Sequence, residues 1–224
     1  MPNSSSSQYL YRIIRFDRLV QMLKTNEWHF AHPSTWEDPS EVRTRNKLSD
    51  MLFAQCWCRN GVSDAMWRIY SQDKLGVRIR VSRDRLKSAL YDLAEQRNIG
   101  FHIAPVKYVN EMEYTIRTNK MKLELERRVT FVRASAHLYL KRPAFAHEAE
   151  TRVVLIDFDQ SDDEKPKGHK ITLNTRQLIE SVLVDPRAPN EYVEAYRHYL
   201  KDELNFLGTV EKSQLYKSYE VREL

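Results

Sequence analysis

The sequence predicts an α+β fold with a mixed, mainly antiparallel sheet core and flanking helices. Strand-like runs occur along the whole chain, some adjacent and others separated by helical segments. They lack the regular strand–helix alternation that a doubly wound parallel sheet requires. Of the 224 residues, 42% are hydrophobic and 30% are charged, as in an ordinary globular protein. We therefore expect one globular domain over residues 9–224, preceded by a flexible Ser-rich tail over residues 1–8.

The first elements are a strand, a helix and a second strand. Residues 9–14 are a β-rich run, residues 16–23 carry apolar side chains at helical spacing, and residues 28–32 return to β character. Pro33 and Pro39 interrupt any ladder or helix interior, so the segment that they bound is predicted to be a loop. Loops of this kind often carry binding sites.

Strand and helix signals continue through the rest of the chain. Residues 51–58 predict a buried strand, and Ser63 or Asp64 can cap the helix that follows. Residues 77–81 alternate strictly between apolar and charged side chains, as in a strand with one wet face. The remaining predicted elements are a helix capped by Ser82 or Asp84, strands over residues 101–109, 151–158, 171–173, 181–184 and 206–210, and helical structure over residues 111–139 and 190–204.

Charge and cysteine content restrict the possible functions. The formal charge of +5 is compatible with a nucleotide or nucleic-acid partner, although the scattered Lys and Arg residues equally suit an ordinary solvated surface. Cys56 and Cys58 would point to opposite faces of a strand, and no zinc-ligand spacing occurs, so neither a disulfide nor a structural zinc site is predicted. No signal peptide or run of about 20 apolar residues is found, which favours a cytoplasmic protein without a membrane partner.

Two candidate binding residues lie near the start of the chain. Arg12 follows Tyr11 inside an apolar strand, where a guanidinium is costly unless it is paired or faces a ligand. The alternative is an arginine on the exposed face of an edge strand. Asp38 precedes Pro39 and is placed to cap a short helix, although it lies in the predicted loop.

A helical segment supplies the next candidates. Met66, Trp67 and Tyr70 fall on one side of the predicted helix. Such a stripe is typical of a core, and it can also offer a stacking surface for a flat ring.

The last candidates are three charged residues at period-two spacing. Glu148, Glu150 and Arg152 would share one face of a strand. They would form either a self-neutralising ladder on the surface or a site in which Arg152 holds one acid and leaves the other poised.

In this order, these segments resemble a bacterial family named domain of unknown function 2971. The family pattern has a Tyr-Arg start, an Asp-Pro-x-Glu turn, a Met-Trp-x-x-Tyr helix followed by Gly and a strand, and a late Glu-x-Glu-x-Arg. The sequence departs from it at Trp36-Glu37, where an aromatic-Asn pair is more frequent, and at Phe145, where tryptophan is common. The resemblance implies an accessory or defence role in bacteria, such as a toxin or anti-phage effector.

A looser resemblance links the front half of the chain to ADP-ribosyltransferase-like folds. It implies NAD as the ligand, with Glu148 or Glu150 as the carboxylate that stabilises an oxocarbenium-like transition state. Arg12 would hold the pyrophosphate or adenosine side, and an aromatic ring would stack nearby. The binding residues predicted in this way are Tyr11, Arg12, Asp38, Trp67, Tyr70 and Arg152.

Two other functions are compatible with the sequence. A Mg²⁺-dependent nuclease would use four oxygen ligands, Asp38, Glu41, Glu148 and Glu150. Against it, Arg152 follows Glu150 where common nuclease motifs have a lysine. A noncatalytic nucleic-acid-binding module would use basic segments such as residues 117–122 and 127–128.

Overall fold

The computed structural model describes residues 8–159 and 167–217, and it confirms the predicted α+β class. The expected N-terminal tail lies outside the described residues except for Gln8. The described strands are β1 (Tyr9–Ile14), β2 (Glu27–Ala31), β3 (Leu52–Cys58), β4 (Val77–Ser82), β5 (Ile99–Pro105), β6 (Lys107–Tyr108), β7 (Leu140–Lys141), β8 (Glu150–Asp157), β9 (Gly168–Thr172), β10 (Ile179–Val184) and β11 (Thr209–Lys212).

Helices flank the strands, and serine caps fix two of their starts. Ser63 accepts a hydrogen bond from Met66 N, and Ser82 accepts one from Arg85 N, so the serine was the cap in both predicted pairs. The helices are α1 (Phe16–Thr25), α2 (Asp64–Tyr70), α3 (Arg83–Gln96), α4 (Glu111–Arg127), α5 (Phe131–Ser135), α6 (Thr175–Leu178) and α7 (Asn190–His198), the last continued by a π-helical turn, Tyr199–Glu203.

Nine strands form one sheet, in which the central strand β3 has three neighbours. β8 pairs with the whole of one edge of β3, and β5 lies beyond β8. On the other edge, β1 pairs at Tyr11↔Cys58 and β2 pairs at Ala31↔Ala54. β4, β10 and β11 extend the sheet beyond β1, and β9 extends it beyond β2. Among these pairs only β10–β11 is parallel, which agrees with the predicted mainly antiparallel sheet.

The arrangement around β3 opens a cleft between β1 and β2. The two strands share one edge of β3 but contact it at different ends, so no ladder joins them to each other among the described pairs. Arg12 of β1, His29 of β2 and Gln55 of β3 line the cavity that lies here. The register of the sheet therefore positions Arg12 beside an opening, although its strand is internal to the sheet.

Two predicted strands differ from the structure by more than a shift of a few residues at their ends. The run over residues 101–109 is divided into β5 and β6, because β6 leaves the ladder with β8 and pairs with β7. The strand predicted from Phe206 begins only at Thr209, after Asn205 adopts a left-handed φ of 51°. Phe206 is instead a buried core residue.

Helix α4 stands apart from the core. None of its residues is buried, and two loop residues tether it through Arg43–Glu111 and Thr44–Tyr114 hydrogen bonds. Among the described residues, no helix has both the length and the apolar character needed to cross a bilayer.

Candidate active site

Arg12 carries a positive charge into the interior without a protein counter-charge. It is half-buried in β1, and no hydrogen bond or ion pair reaches its guanidinium from the described residues. Burial lowers the pKa of this guanidinium below its ordinary value, an unfavourable environment for a charge. β1 lies between β4 and β3, so the predicted alternative of an exposed edge-strand arginine is wrong.

Two cavities meet at Arg12. One, of about 170 Å³, reaches Glu148 and Glu150. The other, of about 320 Å³, occupies the cleft between β1 and β2 and is lined by Arg18 and Lys170 as well as Arg12. We refer to them as the glutamate cavity and the cleft cavity.

Lys141 holds the acidic wall of the glutamate cavity together. Its Nζ lies 2.5 Å from Glu148 Oε2, 3.2 Å from Glu150 Oε2 and 3.5 Å from Glu41 Oε1. Burial lowers the pKa of this ammonium, but the three carboxylates raise it by more, so the net shift is upward. Lys141 therefore stays charged at neutral pH.

Arg152 neutralises the inner side of the same cluster. Its Nε lies 2.7 Å from Glu150 Oε1 and its Nη2 3.0 Å from Glu150 Oε2, a two-pronged pairing. Nη2 also contacts Glu41, and Nη1 donates to the Leu138 carbonyl at 2.5 Å. All these side chains are buried, so the alternative of a surface ladder is wrong.

The two glutamates closest to the cavity are held differently. Burial raises the pKa of Glu150, but Arg152 and Lys141 lower it by more, and the carboxyl stays ionised. Glu148 has one cation, Lys141, at hydrogen-bond distance, and its other oxygen accepts from Tyr70 Oη at 3.3 Å. Three carboxyl groups face two cations in the cluster, and burial raises the pKa of one of these carboxyl groups, Glu41.

Glu148 does not lie on the strand that its spacing predicts. It ends a 3₁₀ segment, Pro143–Glu148, and β8 begins two residues later at Glu150. Ala149 between them has a left-handed φ of 44°, a rare conformation for a residue with a Cβ. This turn brings the carboxylates of Glu148 and Glu150 to the Lys141 ammonium. The period-two spacing therefore predicted correctly that the two acids are neighbours, but a turn and not a shared strand face brings them together.

The aromatic candidates divide between the cavity and the core. Tyr11 and Tyr70 both line the glutamate cavity together with Arg12. Trp67 is almost fully buried in the core, and it borders a cavity of only about 20 Å³ that Tyr11 and Arg12 also line.

Asp38 lies away from the two cavities. It accepts a hydrogen bond from Ser40 N as a cap and pairs with Arg142 at 2.9 and 3.1 Å. The capping role predicted from Pro39 accounts for these contacts, whereas nothing in them faces the Arg12 cleft.

Sequence reasoning missed Lys141 and Cys56. Lys141 sits on a two-residue strand, and its partner Glu41 is 100 positions away, so no local pattern predicts their contact. Cys56 lines the glutamate cavity, and burial raises the pKa of its thiol, which is therefore a poor nucleophile.

In the nuclease alternative, a Mg²⁺ ion would need the space between the carboxylates that the Lys141 ammonium occupies.

Residues 66–153 match the model of a family described as "Protein of unknown function (DUF2971)". The resemblance to this family is confirmed. The segment matched to DUF2971 includes Tyr70, Lys141 and Glu148, whereas Arg12 precedes it. A comparison of the sequence with curated proteins finds no match.

The chain is also similar in structure to DarT from Thermus sp. 2.9. The complex with NAD+ has 11% sequence identity and a TM-score of 0.46, with 96% of this chain and 100% of that chain covered. The complex with carba-NAD+ has 12% sequence identity and a TM-score of 0.44, with 93% of this chain and 97% of that chain covered. The complex with ADP-ribosylated ssDNA has 11% sequence identity and a TM-score of 0.46, with 97% of this chain and 99% of that chain covered. At these TM-scores we draw nothing from the likeness about the site of this chain.

Proposed function

We propose that the protein is an NAD-using, ADP-ribosyltransferase-like enzyme whose site is the joined glutamate and cleft cavities. The observation that carries the proposal is the unpaired Arg12 guanidinium in the same cavity as the Glu148/Glu150 cluster. A positively charged residue thus lines the same cavity as the carboxyl groups of Glu148 and Glu150. NAD needs both, because its pyrophosphate is anionic and its reacting ribose becomes cationic.

The chemistry matches this separation of charge. Breaking the bond between the nicotinamide nitrogen and ribose C1′ sends the electron pair to nicotinamide and leaves positive charge on the ribose until an acceptor attacks C1′. A fixed carboxylate beside that carbon is stabilising only as the charge develops, which lowers the barrier. Glu148 and Glu150 are the carboxylates available in the glutamate cavity.

Arg12 suits the anionic half of the ligand. A guanidinium binds phosphate oxygens through two parallel hydrogen bonds, and the low local polarity strengthens them. The cleft cavity adds two further cations, Arg18 and Lys170, of which Lys170 pairs with Glu27 in the same cavity. Tyr11 and Tyr70 offer ring surface in the glutamate cavity, where a flat nicotinamide would lie.

Arg12→Met tests the proposal through the melting temperature with and without excess NAD. A ligand at about 100 times its dissociation constant adds roughly 2.7 kcal/mol, a shift of a few degrees at this size. We expect this shift in the wild type and its loss in the variant. Without NAD the variant should melt no lower than the wild type, since the substitution removes a desolvated charge that lacks a partner.

Arg80→Met is the matched control, because Arg80 is also half-buried on a strand but pairs with Glu180 and lines neither cavity. It should keep the full NAD shift. A wild type that does not respond to NAD, or an Arg12→Met variant that responds fully, would contradict the proposal.

A further inference from the structure

A third cavity is larger than the glutamate and cleft cavities. It is a groove of about 670 Å³ between helix α4 and the loop over residues 43–47, and we call it the α4 groove. It shares no lining residue with the glutamate or cleft cavity. Whatever it binds is therefore separate from the proposed NAD site.

The α4 groove is strongly positive. One carboxylate, Glu126, lines it. The cations that line it are Arg43, Arg45, Lys47, Lys122 and Arg133.

Two of these cations are balanced by acids beside the groove. Glu111 binds Arg43 through two hydrogen bonds of 2.8 and 2.9 Å, and Asp50 binds Arg45 at 2.6 Å. These pairs fix the direction of the arginines and brace the loop against α4. Each of these two ion pairs therefore adds little net charge to the groove.

The other cations carry the free charge. Lys47 from the loop and Lys122 from α4 are exposed, and neither has an ion pair within the part of the chain that the structure describes. Arg133 donates to the carbonyls of Glu124 and Arg128, which are neutral acceptors. Both sides of the groove therefore present positive charge, and the one carboxylate that lines it, Glu126, can balance only part of this charge.

Uncharged residues also line the groove. Met121, Leu125 and Val129 contribute apolar surface, and Asn119 adds an exposed amide. A ligand with regularly spaced anionic groups and flat apolar faces matches this combination. Nucleotides in a single strand have both features, because their phosphates are anionic and their bases are flat.

We propose that the α4 groove binds single-stranded nucleic acid, with Lys47 and Lys122 contacting its phosphates. A concave groove bounded by one helix and one loop suits a flexible strand, whereas a duplex presents its phosphates on a rigid cylinder. An acidic peptide fits less well, because exposed lysine–carboxylate pairs are worth only about 0–1 kcal/mol. Phosphate contacts gain affinity from released counterions, which exposed lysines suffice to displace.

The groove also gives the basic segments of the sequence distinct roles. Within residues 117–122, Arg117 is paired with Glu113 at 2.6 Å, whereas Lys122 faces the groove. Lys120 lies 4.0 Å from Glu124, so Lys122 is the basic residue of this segment that lines the groove without an ion pair among the described residues.

Fluorescence anisotropy with labelled oligo-dT and oligo-U of about 20 nucleotides tests the proposal, since one binding site of this kind spans roughly 4–16 nucleotides. At about 50 mM salt, Lys47→Glu/Lys122→Glu should raise the Kd at least about tenfold. Losing two phosphate contacts should also reduce the slope of log K against log salt by about 1.4. The full-length protein is used, and circular dichroism checks that each variant is folded.

The matched control is Lys87→Glu/Lys217→Glu, which changes the net charge equally at exposed lysines outside the groove. It should keep the Kd within about twofold, because distant surface charges are largely screened. Arg12→Met should bind the oligonucleotides like the wild type, so this result does not depend on NAD binding. Equal loss in both double variants, displacement by a poly-glutamate peptide, loss of binding in Arg12→Met, or no binding by the wild type would each overturn the proposal.

Discussion

Arg152→Met is expected to lower the free energy of unfolding by about 3–5 kcal/mol at neutral pH, because it leaves the buried carboxylates of Glu41 and Glu150 with Lys141 as their one remaining counter-charge. Arg152 is fully buried and contacts both Glu41 and Glu150. Methionine preserves much of the side-chain volume, so the loss would reflect charge more than a cavity. Urea unfolding monitored by tryptophan fluorescence measures it.

The deficit should depend on pH with a definite sign. In the wild type the pKa of Glu150 lies below its ordinary value of 4.5, so its contribution is present above that pH and is lost on acidification. In Arg152→Met the effect of burial remains without this counter-charge, and the pKa should rise. The variant is then destabilised at neutral pH, and this destabilisation decreases as the carboxyl is protonated. The difference in the free energy of unfolding between the variant and the wild type should therefore decrease toward pH 4.5.

Arg142→Met is the control for this substitution, since Arg142 also pairs with a carboxylate, Asp38, but is about half exposed. An exposed pair of this kind should cost only about 0–1 kcal/mol. Adding Glu41→Gln and Glu150→Gln to Arg152→Met should restore much of the stability, because the isolated charges are then gone. A loss below about 1 kcal/mol in the single variant would show that these carboxylates do not depend on Arg152.

Glu148→Gln is expected to reduce nicotinamide release from NAD by about 10²–10³-fold while changing stability by less than about 1 kcal/mol. Glu148 has one neighbouring cation where Glu150 has two, so its carboxylate retains more negative charge toward the glutamate cavity. The amide can still accept from Lys141, which preserves the fold. Chromatographic measurement of nicotinamide gives the rate.

Two other glutamine variants separate the roles of the acids. Glu150→Gln should lower both turnover and stability, because Arg152 loses its two-pronged partner. Glu180→Gln should leave turnover unchanged, since Glu180 pairs with Arg80 and Arg85 away from both cavities. Unchanged turnover in Glu148→Gln would remove Glu148 from the mechanism. No nicotinamide release by the wild type would contradict the glycosyl-transfer proposal.

Local sequence patterns correctly predicted strands β1 and β4 and the candidate residue Arg12. β1 has the predicted bounds, and the strict alternation of residues 77–81 corresponds to β4, with Arg78 and Arg80 on its wetter face. The cost of a guanidinium in an apolar strand singled out Arg12, because that cost depends only on residue type and neighbours.

The contacts that assemble the site were beyond local patterns. Lys141 meets Glu41 through tertiary packing, and the turn at Ala149 uses a backbone conformation that alanine rarely adopts. Period-two spacing therefore predicted a strand at Glu148 that the structure does not have. The sequence predicted that Asp38 caps a helix, but it could not predict the pairing of Asp38 with Arg142, which is 104 positions away.

The absence of buried residues in α4 has a dynamic consequence. A helix that buries no side chain gains little from the core, and an isolated helix of 17 residues is only marginally stable in water. Its amide hydrogens should therefore exchange by local opening, far sooner than those of β3 and β8 at the centre of the sheet. Any partner that holds α4 closed would first appear as slower hydrogen exchange in this helix, before the global unfolding transition moves.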